Sequence, residues 1–328
     1  MKIYNKRKRV LAAFVLGLIL SGVFLYFALR DVDWVQLGST LLNVRQSSMG
    51  FCMLMIASGI LLRSWRWRLV SQAQNENFVA FAKSTNLGIL SNQLLPGRVG
   101  EIIRVISLVR LTSLGLARGL GGAVIDRALD VVSLLVIAWG LSLLVATVAF
   151  PGTLFWGLVG ILILVVLGHF IARTRLLRTL LSAWSERWIH RWALRAEDFF
   201  TLFYSLIREL VRPRTVFRLA LLAVLIAMAD YLAVAFAVWS VGAEVPLYVP
   251  MVLWVLLSFG STLPSAPGYL GIYQLVAVWA LAPYGVSAHQ AVAVAFVLQA
   301  ATLLVSLLGV LNDIRILIIR KAYIRDAL

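Results

Sequence analysis

Arg98, Glu101 and Arg104 fall close together in NQLLPGRVGEIIR, residues 92–104, inside otherwise apolar sequence. Arg104 follows Glu101 by three residues, which puts both on one face of a helix. Charge inside a membrane is costly and marks a functional site by default. Arg98 comes directly after a Pro96-Gly97 break, near the N-terminus of the helix expected to resume there. Free N–H groups and the helix dipole at such an end favour an anion, and a guanidinium can grip phosphate through two parallel hydrogen bonds. Arg98 and Arg104 therefore make a candidate phosphate-headgroup site, with Glu101 orienting them or meeting a cationic headgroup. The competing reading is an internal pair, Arg98–Glu101 or Glu101–Arg104, that only locks the turn. Asn92 and Gln93, just before the break, either hydrogen-bond a headgroup or cap broken backbone.

Three more acids lie in apolar runs. Asp126 and Asp130 are four residues apart and share a helical face, with Arg127 three before Asp130. They read either as a structural Arg127–Asp130 pair or as proton- or cation-coupling carboxylates. Asp230 has no charged residue within a helical turn. A buried acid without a partner can take up and release a proton during transport. The alternative is a partner on another helix, for which Arg127 is the candidate.

The string P-G-x-x-G occurs twice, as Pro96-Gly97-Arg98-Val99-Gly100 and as Pro267-Gly268-Tyr269-Leu270-Gly271. Proline and glycine break helices. In lipid, broken backbone survives only where protein or a water-filled cavity satisfies it. Interrupted apolar segments in both halves of a chain point to a transporter's binding site. Pro96, Gly97, Gly100, Pro264, Pro267, Gly268 and Gly271 are thus expected turn or hinge positions. Tyr273 and Gln274 join the candidate substrate-binding set, Gln274 as a neutral residue that stabilises the second break rather than charging it.

These residues need elements to hold them. The chain is 62% hydrophobic and 13% charged, with a mean hydropathy of +0.94. Such a composition belongs to a multi-pass membrane protein. The expected architecture is all-α in one transmembrane domain, residues 1–328. It has about six full transmembrane helices and two re-entrant helical hairpins in an inverted-repeat arrangement. The spans are expected near 10–29, 48–66, 119–146, 153–172, 215–241 and 289–311, and the hairpins near 80–110 and 249–282. Each arm of the first hairpin, roughly 11–15 residues, would reach about 16–22 Å, short of the ~30 Å core. Arg63, Arg66 and Arg68 would close the second span in the cytoplasm, with Trp65 and Trp67 at headgroup level. A basic loop near 173–214 carries Trp184, Trp188 and Trp192 at helical spacing, which suggests an interfacial helix.

The net charge of +16 sits in short loops, where it orients the chain and meets anionic lipid. Nucleic acid is not an expected partner. The distribution predicts both termini in the cytoplasm, because the only Lys or Arg in external segments are then Arg30 and Arg45. A single crossing by 249–282 would put the basic tail outside. Cys52 is the only cysteine, and His169, His190 and His289 are far apart, so no metal or other cofactor is expected. No ATP-binding glycine loop, H-E-x-x-H pair or nucleophile elbow occurs, and the longest polar loop, about 40 residues, is too short for a catalytic domain. No enzyme activity is expected.

NQLLPGRVGEIIR resembles the N-x-x-x-P-x-R-x-G-E-x-x-R signature of the lysylphosphatidylglycerol synthase transmembrane-region proteins, a flippase-like domain family. AVIDRALDVVSLL is similar to that family's acid-Arg-x-x-Asp segment. LPSAPGYLGIYQ resembles its P-x-x-P-G-G-x-G-x-x-E motif, with Tyr269 in place of the second glycine and Gln274 in place of the usual glutamate. The resemblance spans about 10–315. It implies a polytopic domain that moves lipids or lipid-linked intermediates between leaflets. Some members add a C-terminal aminoacyl-transferase domain, and with the chain ending at Leu328 that synthase activity is not expected.

The expected function is translocation of an anionic phospholipid, an aminoacyl-phospholipid or a polyprenyl-phosphate-linked lipid across the cytoplasmic membrane. The alternatives are a proton-coupled carrier of a small anion and a non-transporting subunit of a membrane glycosyltransferase or lipid synthase. Expected partners are membrane lipids and, in addition, a lipid-modifying enzyme or glycosyltransferase.

Overall fold

The computed structural model describes residues 19–95, 98–144, 212–262 and 266–326, with isolated positions 206, 208 and 210. The start of the first span, the span near 153–172, most of the basic loop with its three tryptophans, and Pro96, Gly97 and Pro264 lie outside the described residues. Those residues form ten α-helices and contain no strand. They are α1 (Ile19–Leu29), α2 (Trp34–Leu42), α3 (Gln46–Val70), α4 (Phe78–Leu94) and α5 (Gly100–Leu111). Then follow α6 (Leu116–Leu144), α7 (Pro213–Ser240), α8 (Val249–Gly260), α9 (Ile272–Leu281) and α10 (Ala288–Asp326).

Local chemistry sets the helix ends. The Asp33 carboxylate accepts the backbone N–H groups of Val35 and Gln36 at 2.9 and 3.1 Å and starts α2. Asn77 accepts the N–H of Val79 at 2.9 Å and starts α4. Pro213 opens α7 at a position where no N–H is needed. Among the described residues, three helices are long and apolar enough to cross a membrane: α3, α7 and the Ala288–Asp313 part of α10. At 25, 28 and 26 residues they reach about 37–42 Å.

α3 and α7 run side by side in opposite directions. The Arg45 N–H donates to the Ser240 carbonyl at 2.9 Å, so the start of α3 is level with the end of α7. Phe51 stacks on Phe236 at 5.2 Å along that seam. Two pairs of shorter helices pack against this frame. In the first pair, α4 and α5 lie against each other, and the Ser113 N–H and hydroxyl both donate to Glu76, so its two open ends meet. In the second, α8 lies against α9, and Tyr248 meets Tyr284 edge-on at 5.9 Å across the open end.

The first pair opens at the end of α3 and the second at the end of α7, which are opposite ends of the frame. Their closed tips meet in the middle. Arg98 donates to the Ser261 carbonyl and, at 3.2 Å, to its hydroxyl. Gln93 Oε1 lies only 2.9 Å from where a Cβ on Gly268 would sit. α10 fastens both pairs. Asn86 donates to the Ser306 carbonyl at 2.9 Å, Lys83 pairs with Asp313 at 3.0 Å, and Gln299 donates to the Gly268 carbonyl at 2.8 Å.

The two larger buried cores follow from this arrangement. One joins α7 to α10 around Val238, Leu253, Leu281 and Ala295. The other joins α3 to α6 around Trp67, Phe81, Leu108 and Ile125. Several expectations need correction here. The arms of the first pair have 17 and 12 residues and those of the second 12 and 10, so α4 is longer than expected. α3 continues to Val70, and Trp67 is fully buried, edge-on to Phe81 at 5.4 Å. The arginines before it do not close the span at a surface; they turn inward, because acids on α6 and α7 wait for them.

Candidate functional site

α3 presents Arg63 and Arg66, three residues apart on one face. α5 brings Glu101 and Arg104, α6 brings Asp126, Arg127 and Asp130, and α7 brings Asp230. Together they form a charged network among four helices.

Its inner part is Arg66, Arg104 and Asp126, whose side chains are at most 2% exposed. Arg66 Nε meets Asp126 Oδ1 at 2.7 Å, and its Nη2 reaches Asp130. Arg104 meets the other Asp126 oxygen at 3.3 Å, and its guanidinium lies over the Trp67 ring at 4.8 Å. The ring face is negative and supports the cation. The outer part is more open: Arg127 is 42% and Glu101 35% exposed. Arg127 Nη1 contacts Asp130 at 2.9 Å. One Glu101 oxygen serves both Arg104 Nε at 2.9 Å and Arg127 Nε at 3.2 Å. These two Nε contacts are close but poorly aligned for hydrogen bonding, so they act through charge.

Arg63 and Asp230 stand apart as a two-pronged pair, at 3.0 and 2.5 Å. Gly59 gives them room, since a Cβ there would sit 3.1 Å from Arg63 Nη1 and 3.4 Å from Asp230 Oδ1. Asp230 is ten residues before the end of α7, about 15 Å along it, which is half of a ~30 Å hydrocarbon core.

The candidate residues divide. Arg98, Glu101, Arg104, Asp126, Arg127, Asp130 and Asp230 gather at or beside the meeting tips. Of the two internal pairs weighed for the first break, the structure holds Glu101–Arg104, while Arg98 reaches across to α8. The Asp230 partner is Arg63 and not Arg127. Asn92 caps backbone by accepting the Gly100 N–H at 2.9 Å. Gln274 is buried with both ends used: its oxygen accepts the Gly271 N–H at 2.8 Å, and its amide donates to Gln299 at 2.8 Å. It faces no open space for a ligand. Tyr273 stacks on Tyr269 at 5.1 Å with the rings 12° apart.

Arg63, Arg66 and Gln299 are additions. The arginines imitate a cytoplasmic flank at the end of an apolar run. The signal that could have found them is charge balance, because Asp126, Asp130 and Asp230 all sit in apolar helices and need cations from elsewhere.

Beside the network lies an apolar groove of about 690 Å³ between α6 and α7. Val132, Val136 and Ile137 form one wall, Ala223 and Met228 the other, and Met251 of α8 one end. Ser133 is a polar residue in it, and its hydroxyl donates to the Leu129 carbonyl at 2.8 Å. Asp126, Asp130, Ser133 and Ile137 are spaced by four, three and four residues, so they form one row along α6. The charged network therefore runs directly into the groove.

The family model described as the lysylphosphatidylglycerol synthase TM region matches residues 14–309. The chain belongs to that family. It is a membrane protein of a lipid-related family, and its apolar helices agree with that. A comparison with curated proteins finds no match. The family's matched region takes in every charged residue of the network and both walls of the groove.

Proposed function

We propose that this chain moves an anionic lipid between the leaflets of the cytoplasmic membrane, without a covalent step. The observation that carries the reading is the α6 row in which carboxylates paired to arginines give way to an apolar groove. A lipid needs both surfaces at once, a polar one for its headgroup and an apolar one for its chains. A small soluble anion needs no groove. Arg127, the most open cation of the network, lines the headgroup's polar surface, and each of its acids has another arginine to fall back on. Arg104 is too enclosed for direct contact and holds Asp126 and Glu101 in place.

In this reading the two helix pairs are re-entrant hairpins. The α4–α5 pair enters from the cytoplasm and the α8–α9 pair from outside, as inverted repeats whose tips gate the site. Pairing of the open ends, and their position at opposite ends of α3 and α7, support it. The test is leaflet exchange of a fluorescent phosphatidylglycerol in proteoliposomes. The protein is expected to accelerate exchange over empty liposomes, and Ala223→Trp, which fills the groove wall, is expected to abolish the acceleration while the protein stays folded. Exchange no faster than in empty liposomes, or full activity with the groove filled, would overturn the reading.

A further inference from the structure

Counting charge at the meeting point of the two helix pairs gives an uneven sum. Among the described residues, Arg63, Arg66, Arg98, Arg104 and Arg127 face Glu101, Asp126, Asp130 and Asp230. Every acid is engaged: Asp230 by Arg63, Asp126 by Arg66 and Arg104, Asp130 by Arg66 and Arg127, Glu101 by Arg104 and Arg127. Arg98 has no acid. Its guanidinium rests on the Ser261 carbonyl and hydroxyl, and it is exposed at the seam. One positive charge is left over.

Resting on the lipid reading above, we propose that the site takes a phosphodiester with one negative charge and an uncharged headgroup, with Arg98 as its counter-ion. An unmatched charge inside a membrane is costly, so the occupant that balances the sum is favoured over its neighbours in charge. A zwitterionic lipid leaves Arg98 unmatched. A phosphomonoester, at about −1.5 to −2, overshoots. A lipid with a cationic headgroup finds no acid free to receive it among the described residues.

Backbone geometry marks the same place. Arg98 has φ +56° and Tyr269 φ +60°, left-handed values that non-glycine residues avoid, and they sit at the two facing tips. Strain of this kind gathers at ligand sites. Tyr269 stacks on Tyr273 at 5.1 Å, on the tip whose Gly268 packs against Gln93 of the facing tip. Neither phenol hydroxyl has a hydrogen-bond partner among the described residues. Two unpaired hydroxyls on the tip that faces a single spare cation suit a neutral, hydroxylated headgroup on a phosphate.

The experiment is native mass spectrometry of the full chain in detergent. The protein is incubated with an equimolar mixture of phosphatidylglycerol, phosphatidylcholine, phosphatidate and lysyl-phosphatidylglycerol of matched chains. Phosphatidylglycerol is expected to be retained roughly tenfold over each of the others, the scale of one charge-assisted contact. Arg98→Gln, which can still donate to Ser261, is expected to lose that preference at an unchanged melting temperature, and Arg98→Lys to keep it. Retention of lipids regardless of charge, preference for a cationic or dianionic lipid, or an unaltered preference in Arg98→Gln overturns the charge assignment alone. A competition with soluble glycerophosphoglycerol separates the other failure. No lipid retained, or equal displacement by the soluble headgroup, overturns the lipid reading itself.

Discussion

The Arg63–Asp230 pair shows what a single contact must do at this depth. Each group alone would be an unpaired, largely buried charge within a long apolar helix, and together they neutralise one another through two contacts. Removing one partner strands the other, which costs about 3–5 kcal/mol, whereas replacing both with apolar groups of similar size is close to neutral. Asp230→Asn is therefore expected to lower stability by roughly that amount in a denaturant or thermal melt, and Arg63→Met with Asp230→Leu to recover most of it. A stable Asp230→Asn protein with an altered pH profile of transport would instead make Asp230 a coupling carboxyl. The acids of this network were visible in the sequence because charge in an apolar run is conspicuous. Half of their partners were not. Arg63 and Arg66 lie near the end of their helix, where arginine is ordinary, and only the packing of α3 on α6 and α7 turns them inward.

Helices break where proline and glycine fall, and both breaks were legible from residue type. What holds each break together was only partly so. Asn92 accepting the Gly100 N–H was one of two readings of that residue, and the tertiary structure selected it. At the second break a relay runs from the Gly271 N–H to Gln274, on to Gln299, and back to the Gly268 carbonyl. Gln299 is 25 residues away on α10, so no local pattern could reveal it. The relay has a direction. Gln274 must accept at one end and donate at the other, which glutamate cannot do when ionised. Gln274→Glu is expected to leave the Gln299 oxygen facing another acceptor and to cost about 1–3 kcal/mol, read as a lowered melting temperature that Gln299→Met does not worsen further. Full stability in Gln274→Glu would show that the relay can reverse, at the expense of the Gly268 carbonyl.

At the scale of the whole molecule, the two helix pairs open at opposite ends of α3 and α7 and touch at their tips. Set in a membrane with the basic segments inside, this puts 71–77 in the cytoplasm and 30–45 and 241–248 outside. Single cysteines at Gln74, Val35 and Glu244, in a Cys52→Ala background, report it directly. An impermeant thiol reagent applied to sealed, outward-facing cells is expected to label Val35 and Glu244 and to miss Gln74. Labelling at Gln74 would remove the opposed-entry scheme.

By itself the sequence determined that the chain is helical, membrane-embedded and twice interrupted, because hydrophobicity, proline and glycine act locally. It also named the family, through motifs that are contiguous. Tertiary structure decided which charges neutralise which, that Trp67 is buried in the core, and that Arg98 is the cation left without an acid among the described residues. Those outcomes depend on contacts between helices far apart in the chain, and charge balance is a property of the assembled set.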